Sequence, residues 1–485
     1  MGYKGAEKCN MRILVDSIIT VLEPSADLLR LVKDKLTITN PMFIKMLKMG
    51  KRTYGIDEKI KFYWWDGSKL CLPRGLIGQI LKTFPNEEYI YSYNLRNTVN
   101  FKSDIFLRDY QEPAVDKAKY YKQGIIVMPC GSGKTETALH AIANIGQPTL
   151  WITHTKDLLN QSKDRATNKL RLYGDEIGVI GGGRWDIGTH ITFATVQSLA
   201  NKDLNEIKYR FGCIVIDECH KTFLSSSKAA QFSKVISTFP ALYRIGITAS
   251  EHRSDGLIKS MYYTIGPKIY EVPQDNEMLK TNVMVPDVKF VTTDYIYGGL
   301  EQDYSQMLVD LANDEERNTQ ILDTIKNDVD NRYTIVLSDR LSQLKWLYDR
   351  LNEHNFSCGY IDGSTPKMQR ERILKQAHSG ETKILFATYK FAKEGLDIPC
   401  LDRLILATPQ RDKVTIQQSV GRVMRKAEGK NTPIVYDFID KNIGVFRGQF
   451  ASRFRVYKDL GCIVTKPKFE DYNIKILGGN KACNE

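Results

Sequence analysis

The chain has 485 residues, 42% of them apolar, so it has room for about three domains and can bury sizeable cores; wholesale disorder is excluded. Its formal net charge of +12 suits a polyanionic partner, and no apolar run approaches the roughly 18 residues of a membrane span. Nine cysteines, an odd number without a Cys-x-x-Cys pair, argue against a zinc knuckle and for a reduced, cytoplasmic protein.

Residues 1–97 read as a separate small α+β unit. Met11 to Val21 reads as a strand and Asp27 to Lys33 as a short helix. Lys59 to Trp65 alternates as a strand, the turn Asp66-Gly67-Ser68 follows, and Lys69 to Leu72 returns as its hairpin partner. Pro73-Arg74-Gly75 then leads into a helix from Leu76 to Thr83. Up to residue 100, basic residues outnumber acidic ones 16 to 10. Exposed aromatics stack on bases and cations meet phosphates, so Trp64, Trp65 and Arg74 are candidates for DNA contact. Strand alternation puts Trp64 and Trp65 on opposite faces, one in the core and one free.

From about residue 98 the pattern changes to short apolar strands separated by helices. One series is Ile125–Met128, Thr149–Thr153, Ile191–Thr195, Cys213–Ile216 and Tyr243–Thr248. A second is Thr334–Leu337, Ser357–Ile361, Lys383–Thr388, Arg403–Thr408 and Ile434–Asp437. Such runs imply parallel sheets covered on both faces, hence two tandem α/β domains, 98–285 and 286–466, joined near Pro286. The polar tail 467–485 reads as frayed.

Two stretches carry chemistry. Met128-Pro129-Cys130-Gly131-Ser132-Gly133-Lys134-Thr135 lies between an apolar strand and a helix. That is a phosphate cradle: N–H groups of Gly131, Ser132, Gly133 and the helix start face an anion, Lys134 adds a charge, and the Thr135 hydroxyl suits Mg²⁺. Met128 stands where the full pattern has glycine. About 80 residues later, the run Cys213 to Ile216 delivers Asp217 and Glu218 at a strand end. Alone that pair is an ordinary solvated strand end. Behind a phosphate loop, Asp217 is placed to hold Mg²⁺ and Glu218 to orient or deprotonate a water.

Asp217-Glu218-Cys219-His220 resembles the Asp-Glu-x-His box of superfamily 2 helicases, and further boxes appear in order over about residues 105–440. Leu107 to Gln111 resembles the adenine-reading segment, with Gln111 on the base. Trp151 to Leu158, with Thr153, His154 and Thr155, resembles the first DNA-contacting box, and Thr195 to Leu199, with Gln197, the next. Gly246 to Ser250 resembles the coupling box, with Ser250 where a threonine is usual; Thr248 and Ser250 would relay between the Asp-Glu strand and DNA. In the second domain, Ile361-Asp362-Gly363, the stretch from Phe386 through Thr388 to Pro399, and Gln417 to Arg425 resemble the last boxes.

The resemblance implies two RecA-like motor domains using ATP and Mg²⁺. It places His220, Gln418, Arg422 and Arg425 in catalysis and Gly395 and Asp397 on the nucleotide. Arg422 and Arg425, three apart, would share a helix face as arginine fingers, with Gln418 one turn before. Thr153, Thr155, Thr195 and Thr388 at strand ends would hold DNA phosphates, a sequence-tolerant and salt-sensitive contact. Glu251 to Gly256, with Arg253, resembles the Arg-x-Asp-Gly segment of the branch that holds phage UvsW-type and XPB-type helicases and some restriction motors. That branch implies a monomeric motor, 3′→5′ movement, and forks and Holliday junctions as substrates, in the host cytoplasm if phage-encoded. Val414 follows Asp397 by 17 positions, too few for a separate strand-splitting hairpin beside one strand, which leaves the front domain to meet the junction. An RNA-directed or transcript-releasing ATPase and a restriction-system motor are the alternatives. A non-catalytic scaffold is disfavoured by the intact set Lys134, Asp217, Glu218, Arg422 and Arg425.

Overall fold

The computed structural model describes residues 11–129, 131–220, 232–249, 258–273, 283–299, 303–328, 332–396 and 398–465. Ser250, Arg253, Asp397 and the tail 467–485 lie outside the described residues, as does Cys130. The principal division into compact units falls between Val283 and Met284.

The first unit holds two sheets of different kinds and a small two-stranded ribbon. The front sheet runs Trp64–Asp66, Lys69–Pro73, Ile18–Leu22, Arg12–Val15, Glu88–Tyr91. All its pairings are antiparallel except the last. The expected single strand Met11 to Val21 is therefore two strands: the Asp16 side chain accepts from the Ile18 N–H at 3.0 Å and turns the chain. The expected strand Lys59 to Trp65 is also broken. Lys59–Lys61 pairs with Thr37–Thr39 in the ribbon, and only Trp64–Asp66 joins the hairpin with Lys69–Pro73. Helix Ala26–Lys35 is capped by Ser25, and helix Pro41–Lys48 by Asn40 with proline in its first turn. Ile13, Val15, Ile19, Val21, Leu28, Val32, Leu70, Leu72 and Ile80 form the core of this layer.

The second sheet of the first unit has eight strands. Their order is Arg184–Asp186, Ile177–Gly181, Ile191–Thr195, Thr149–Thr153, Cys213–Asp217, Tyr243–Thr248, Gln123–Val127, Lys268–Glu271. Every pairing is parallel except the Ile177–Gly181/Arg184–Asp186 hairpin. The central strands are buried on both faces, which explains why they read as unbroken apolar runs.

The front sheet is keyed onto this sheet by arginines. Arg74 is 1% exposed. Its guanidinium donates to the carbonyls of Ala241 (2.6 Å), Leu242 (2.9 Å) and Asp16 (3.2 Å) and to Gln123 Oε1 (2.6 Å), and it lies over the Tyr93 ring. Burial pulls its pKa down to about 10. Arg244, also fully buried, donates to Ser17 O at 3.0 Å and Thr264 O at 3.0 Å. Gly75 must be glycine: a Cβ there would stand 2.3 Å from Tyr262 O and 2.4 Å from Tyr263 O. Arg74 thus cannot reach DNA, a correction to its assignment: its donors are spent on carbonyls that become orphaned if it leaves.

The second unit has a parallel seven-stranded sheet in the order Cys358–Ile361, Ile384–Thr388, Thr334–Ser338, Arg403–Leu406, Ile434–Asp440, Asp287–Thr293, Ile463–Val464. The fold is the expected one: two parallel-sheet motor domains of RecA-like type preceded by a small α+β layer.

Candidate ATP site and nucleic-acid surface

In the first unit, strand Gln123–Val127 runs into Met128, whose N–H donates to Thr248 O at 2.9 Å and whose side chain is fully buried in the core. Met128 therefore replaces the first glycine of the pattern by anchoring the start of the loop in apolar packing. Gly131 and Gly133 both have φ of +80°, a conformation that glycine supplies without strain. The Ser132 hydroxyl closes the turn on Pro129 O at 2.7 Å, and helix Lys134–Ile145 opens directly from Gly133. Thr135 lies in its first turn, half-buried.

Gln111 braces this loop. Its Nε2 donates to Ser132 O (2.9 Å) and Gly133 O (3.3 Å), and its Oε1 accepts from the Arg108 N–H (2.8 Å). The amide expected to read a base holds the phosphate loop here. Tyr110 adds a second brace, its hydroxyl donating to Ser132 O at 3.1 Å while Arg108 donates to that hydroxyl at 2.7 Å. Sequence reading missed Tyr110; an aromatic beside the glutamine was the available signal.

Strand Cys213–Asp217 brings two carboxylates to face the loop. Asp217 is 4% exposed, and its pKa is pushed up to about 6, by burial first and then by Glu218, against the pull of Lys134. The Ser162 hydroxyl, on helix Lys156–Leu170, lies 3.4 Å from Asp217 Oδ2. No local pattern ties Ser162 to this site, so sequence could not reveal it. Glu218 adopts φ of +48°, a left-handed conformation costing roughly 1–2 kcal/mol for a residue with a Cβ. The strain aims its carboxylate at two partners: Lys134 Nζ at 3.9 Å and His220 Nδ1 at 3.3 Å. His220 Nδ1 is also 2.7 Å from Thr248 Oγ1. A polar line thus runs Lys134, Glu218, His220, Thr248, from the phosphate loop to the end of the neighbouring strand.

In the second unit, helix Lys413–Val423 carries Gln418 and Arg422. Arg422 Nε donates to Ala392 O at 3.2 Å, and Gln418 is buried. The helix stops at Val423, with Met424 as its C-cap. Arg425 therefore lies past the helix, and the expectation that both arginines sit on it is corrected: Met424 caps the helix in a right-handed conformation, and Met424 O accepts from the Met284 N–H at 2.7 Å.

Residues 104–253 match the family described as "Type III restriction enzyme, res subunit", and 316–427 the "Helicase conserved C-terminal domain". A relative in Acanthamoeba polyphaga mimivirus that carries the name of an ATP-dependent RNA helicase is 31% identical over 385 residues, covering 76% of this chain and 69% of the relative. The chain belongs to the superfamily 2 helicases. This helicase is also 25% identical over 389 residues to the "DNA 3'-5' translocase XPB2" of Sulfurisphaera tokodaii, covering 72% of this chain and 86% of that one. In fold it is similar to Saccharomyces cerevisiae Dbp5 bound to RNA and ADP BeF3, at a TM-score of 0.53 and 14% identity over 81% of this chain and 93% of that one. It is an ATP-dependent helicase, hence a nucleic-acid-binding protein that hydrolyses ATP.

The residues expected to hold nucleic acid in this helicase fall into distinct groups. Thr153 and Thr195 end adjacent parallel strands, paired directly with each other. Thr195 Oγ1 accepts from the Ser198 N–H at 3.4 Å, and Thr155 Oγ1 from the Leu158 N–H at 3.3 Å, so both cap helices that open at the same sheet edge. Gln197 Nε2 donates to His154 O at 3.2 Å and ties the two boxes together. Thr153 is fully buried and its hydroxyl donates to Thr155 O, so it shapes the turn instead of meeting a phosphate, another correction. Thr388 caps the next helix of the second unit, accepting from the Phe391 N–H at 3.3 Å. Gly395 ends that helix. Trp64 and Trp65 are 43% and 49% exposed, so neither is core. Their strand is three residues long and lies at the edge of the sheet, paired on one side with Lys69–Pro73. Among the described residues, no helix is long and apolar enough to cross a membrane.

Proposed function

We propose that this helicase translocates 3′→5′ on DNA as a monomer and acts on branched DNA such as forks and four-way junctions. The observation that carries the branched-DNA part is the front sheet. It presents Trp64 and Trp65 to solvent in a basic layer, and the buried Arg74 and Arg244 fix it to the first motor sheet, so any contact it makes travels with the motor. The name of the archaeal translocase supports the polarity and the choice of DNA.

Hydrolysis starts from the phosphate loop. N–H groups at Gly131, Ser132 and Gly133 and the start of the following helix receive the phosphate oxygens, and Lys134 leaves Glu218 to meet them. Burial first, and then repulsion from the half-buried Glu218, raises Asp217's pKa, so the donor set fits a divalent cation held by Asp217 and the Thr135 hydroxyl. Bound magnesium would supply charge neutralisation at the phosphates. Glu218, freed from Lys134, orients and deprotonates the attacking water, while His220 and Thr248 relay its position to the adjacent strand. From the family resemblance, Arg422 and Arg425 supply positive charge for the transition state, and Gln418, Gly395 and Asp397 contact the nucleotide. The N–H groups at the helix starts after Thr155, Thr195 and Thr388, with His154, Gln197 and Arg253, hold the DNA backbone.

Unwinding of a panel tests this: 3′-tailed duplex, 5′-tailed duplex, fork, four-way junction and an RNA hybrid, with the parent and with W64A/W65A. The double variant should lose fork and junction unwinding while ATPase stimulated by single-stranded DNA persists. Equal loss of both, or of neither, would refute the role of the front sheet. The second reading, an RNA-directed ATPase, is favoured by the viral relative's name and predicts preference for the RNA hybrid. Removing residues 1–95 is a poorer probe, because it would strip Ser17 from the buried Arg244 and Arg74 from its carbonyls.

A further inference from the structure

Lys430 has no part in the reading above, and its surroundings are unusual for a lysine. Its Nζ donates to three main-chain carbonyls, Arg425 O at 2.6 Å, Val423 O at 2.8 Å and Pro399 O at 3.2 Å. An ammonium has three N–H donors, so three acceptors saturate it. Val423 is the last residue of helix Lys413–Val423, where carbonyls lack helical partners and a cation is favoured. Pro399 closes the segment that contains Gly395 and Asp397. Gly429, with φ of +69°, turns the chain so that Lys430 comes back beneath the helix end. Burial lowers the lysine's pKa to about 8, with Asp402 and Cys400 pulling it back up, so the three-donor form persists at neutral pH.

The geometry points to Lys430 as a positioning residue for ATP hydrolysis, its ammonium clamping the carbonyls of Val423, Arg425 and Pro399 so that Arg425 leaves the helix in one fixed direction. This rests on the reading of Arg425 as a hydrolytic residue. Lys430 itself touches no reacting atom. It acts through the main chain on either side of Arg425, and through Pro399 it links the last two boxes of the second unit. With the clamp removed, Arg425 would sample several directions, and a displacement of about 1 Å in such a group can cost up to about a hundredfold in rate.

The test is a double-mutant cycle on the full chain, reading single-stranded-DNA-stimulated kcat and the KM for ATP well below the melting temperature. K430M should lower kcat at least about tenfold. K430M/R425A should be no slower than R425A alone, because a misaimed arginine and an absent one are equivalent. K430R, which keeps the charge but spreads its donors in a plane, should fall between parent and K430M, and it carries the cycle if K430M does not fold. Parental turnover in R425A would refute the role of Arg425 and the proposal with it. Parental turnover in K430M or K430R beside an impaired R425A would overturn the positioning role alone, as would a double variant whose loss is the product of the single losses.

Discussion

The two motor sheets both end a buried parallel strand in aspartate, and they treat the charge in opposite ways. In the second unit, strand Ile434–Asp440 carries Asp437 and Asp440, both fully buried. Asp437 receives Arg453 Nη2 at 2.7 Å and Nε at 2.8 Å and the Tyr457 hydroxyl at 2.7 Å. Asp440 receives Arg317 Nε at 2.6 Å and Thr293 Oγ1 at 2.7 Å. In the first unit, Asp217 has the Ser162 hydroxyl at 3.4 Å, and Lys134 stands nearer its neighbour Glu218. A compensated carboxylate is part of the scaffold. One left short of positive charge is poised to accept some from a ligand, and it stores the cost until then.

The comparison can be broken in three places. The largest effect is expected at Lys134: K134A should lower stimulated ATP turnover by two orders of magnitude or more, roughly the cost of losing a preorganised charge at the phosphates, while DNA binding persists. Fluorescence-anisotropy binding beside an ATPase assay checks both halves. In the second unit a like change should act on stability instead. R453M leaves Asp437 buried without its cation and should cost about 3–5 kcal/mol by urea denaturation. The smallest effect has the opposite sign. In magnesium- and nucleotide-free buffer at pH 7, D217N should melt higher than the parent, by roughly 2 kcal/mol in stability, because it removes a charge that folding must desolvate. Folding raises Asp217's pKa from 3.8 to about 6, so the parent gains stability as pH falls through 6 and the carboxyl takes up its proton. The advantage of D217N should therefore shrink toward pH 5, and a pH-independent difference would contradict the assignment.

The contrast also marks what sequence could show. Lys134, Asp217 and Glu218 were legible because strand, turn and helix start are local patterns and their order along the chain is specific. Arg74 was not. In sequence it is one more cation in a basic layer, and its burial depends on carbonyls at Ala241 and Leu242, far along the chain. Arg425 failed for a related reason: spacing of three implies a shared face only while the helix lasts, and Met424 ends it. Trp64 and Trp65 alternate as expected, but alternation gives faces and not what covers them. Helix Pro41–Lys48 has a readable start, Asn40 before Pro41, that no expectation used. Ser162 and Lys430 act through contacts that only the folded chain brings together.

The central claim is that the strained, partly compensated Glu218 drives hydrolysis. Its most direct measurement is ATP binding and DNA-stimulated turnover of E218Q. The glutamine keeps the shape and can still orient a water but cannot take its proton, so ATP should bind about as in the parent while turnover falls by roughly 10²–10⁴-fold. Parental turnover in E218Q would contradict the account.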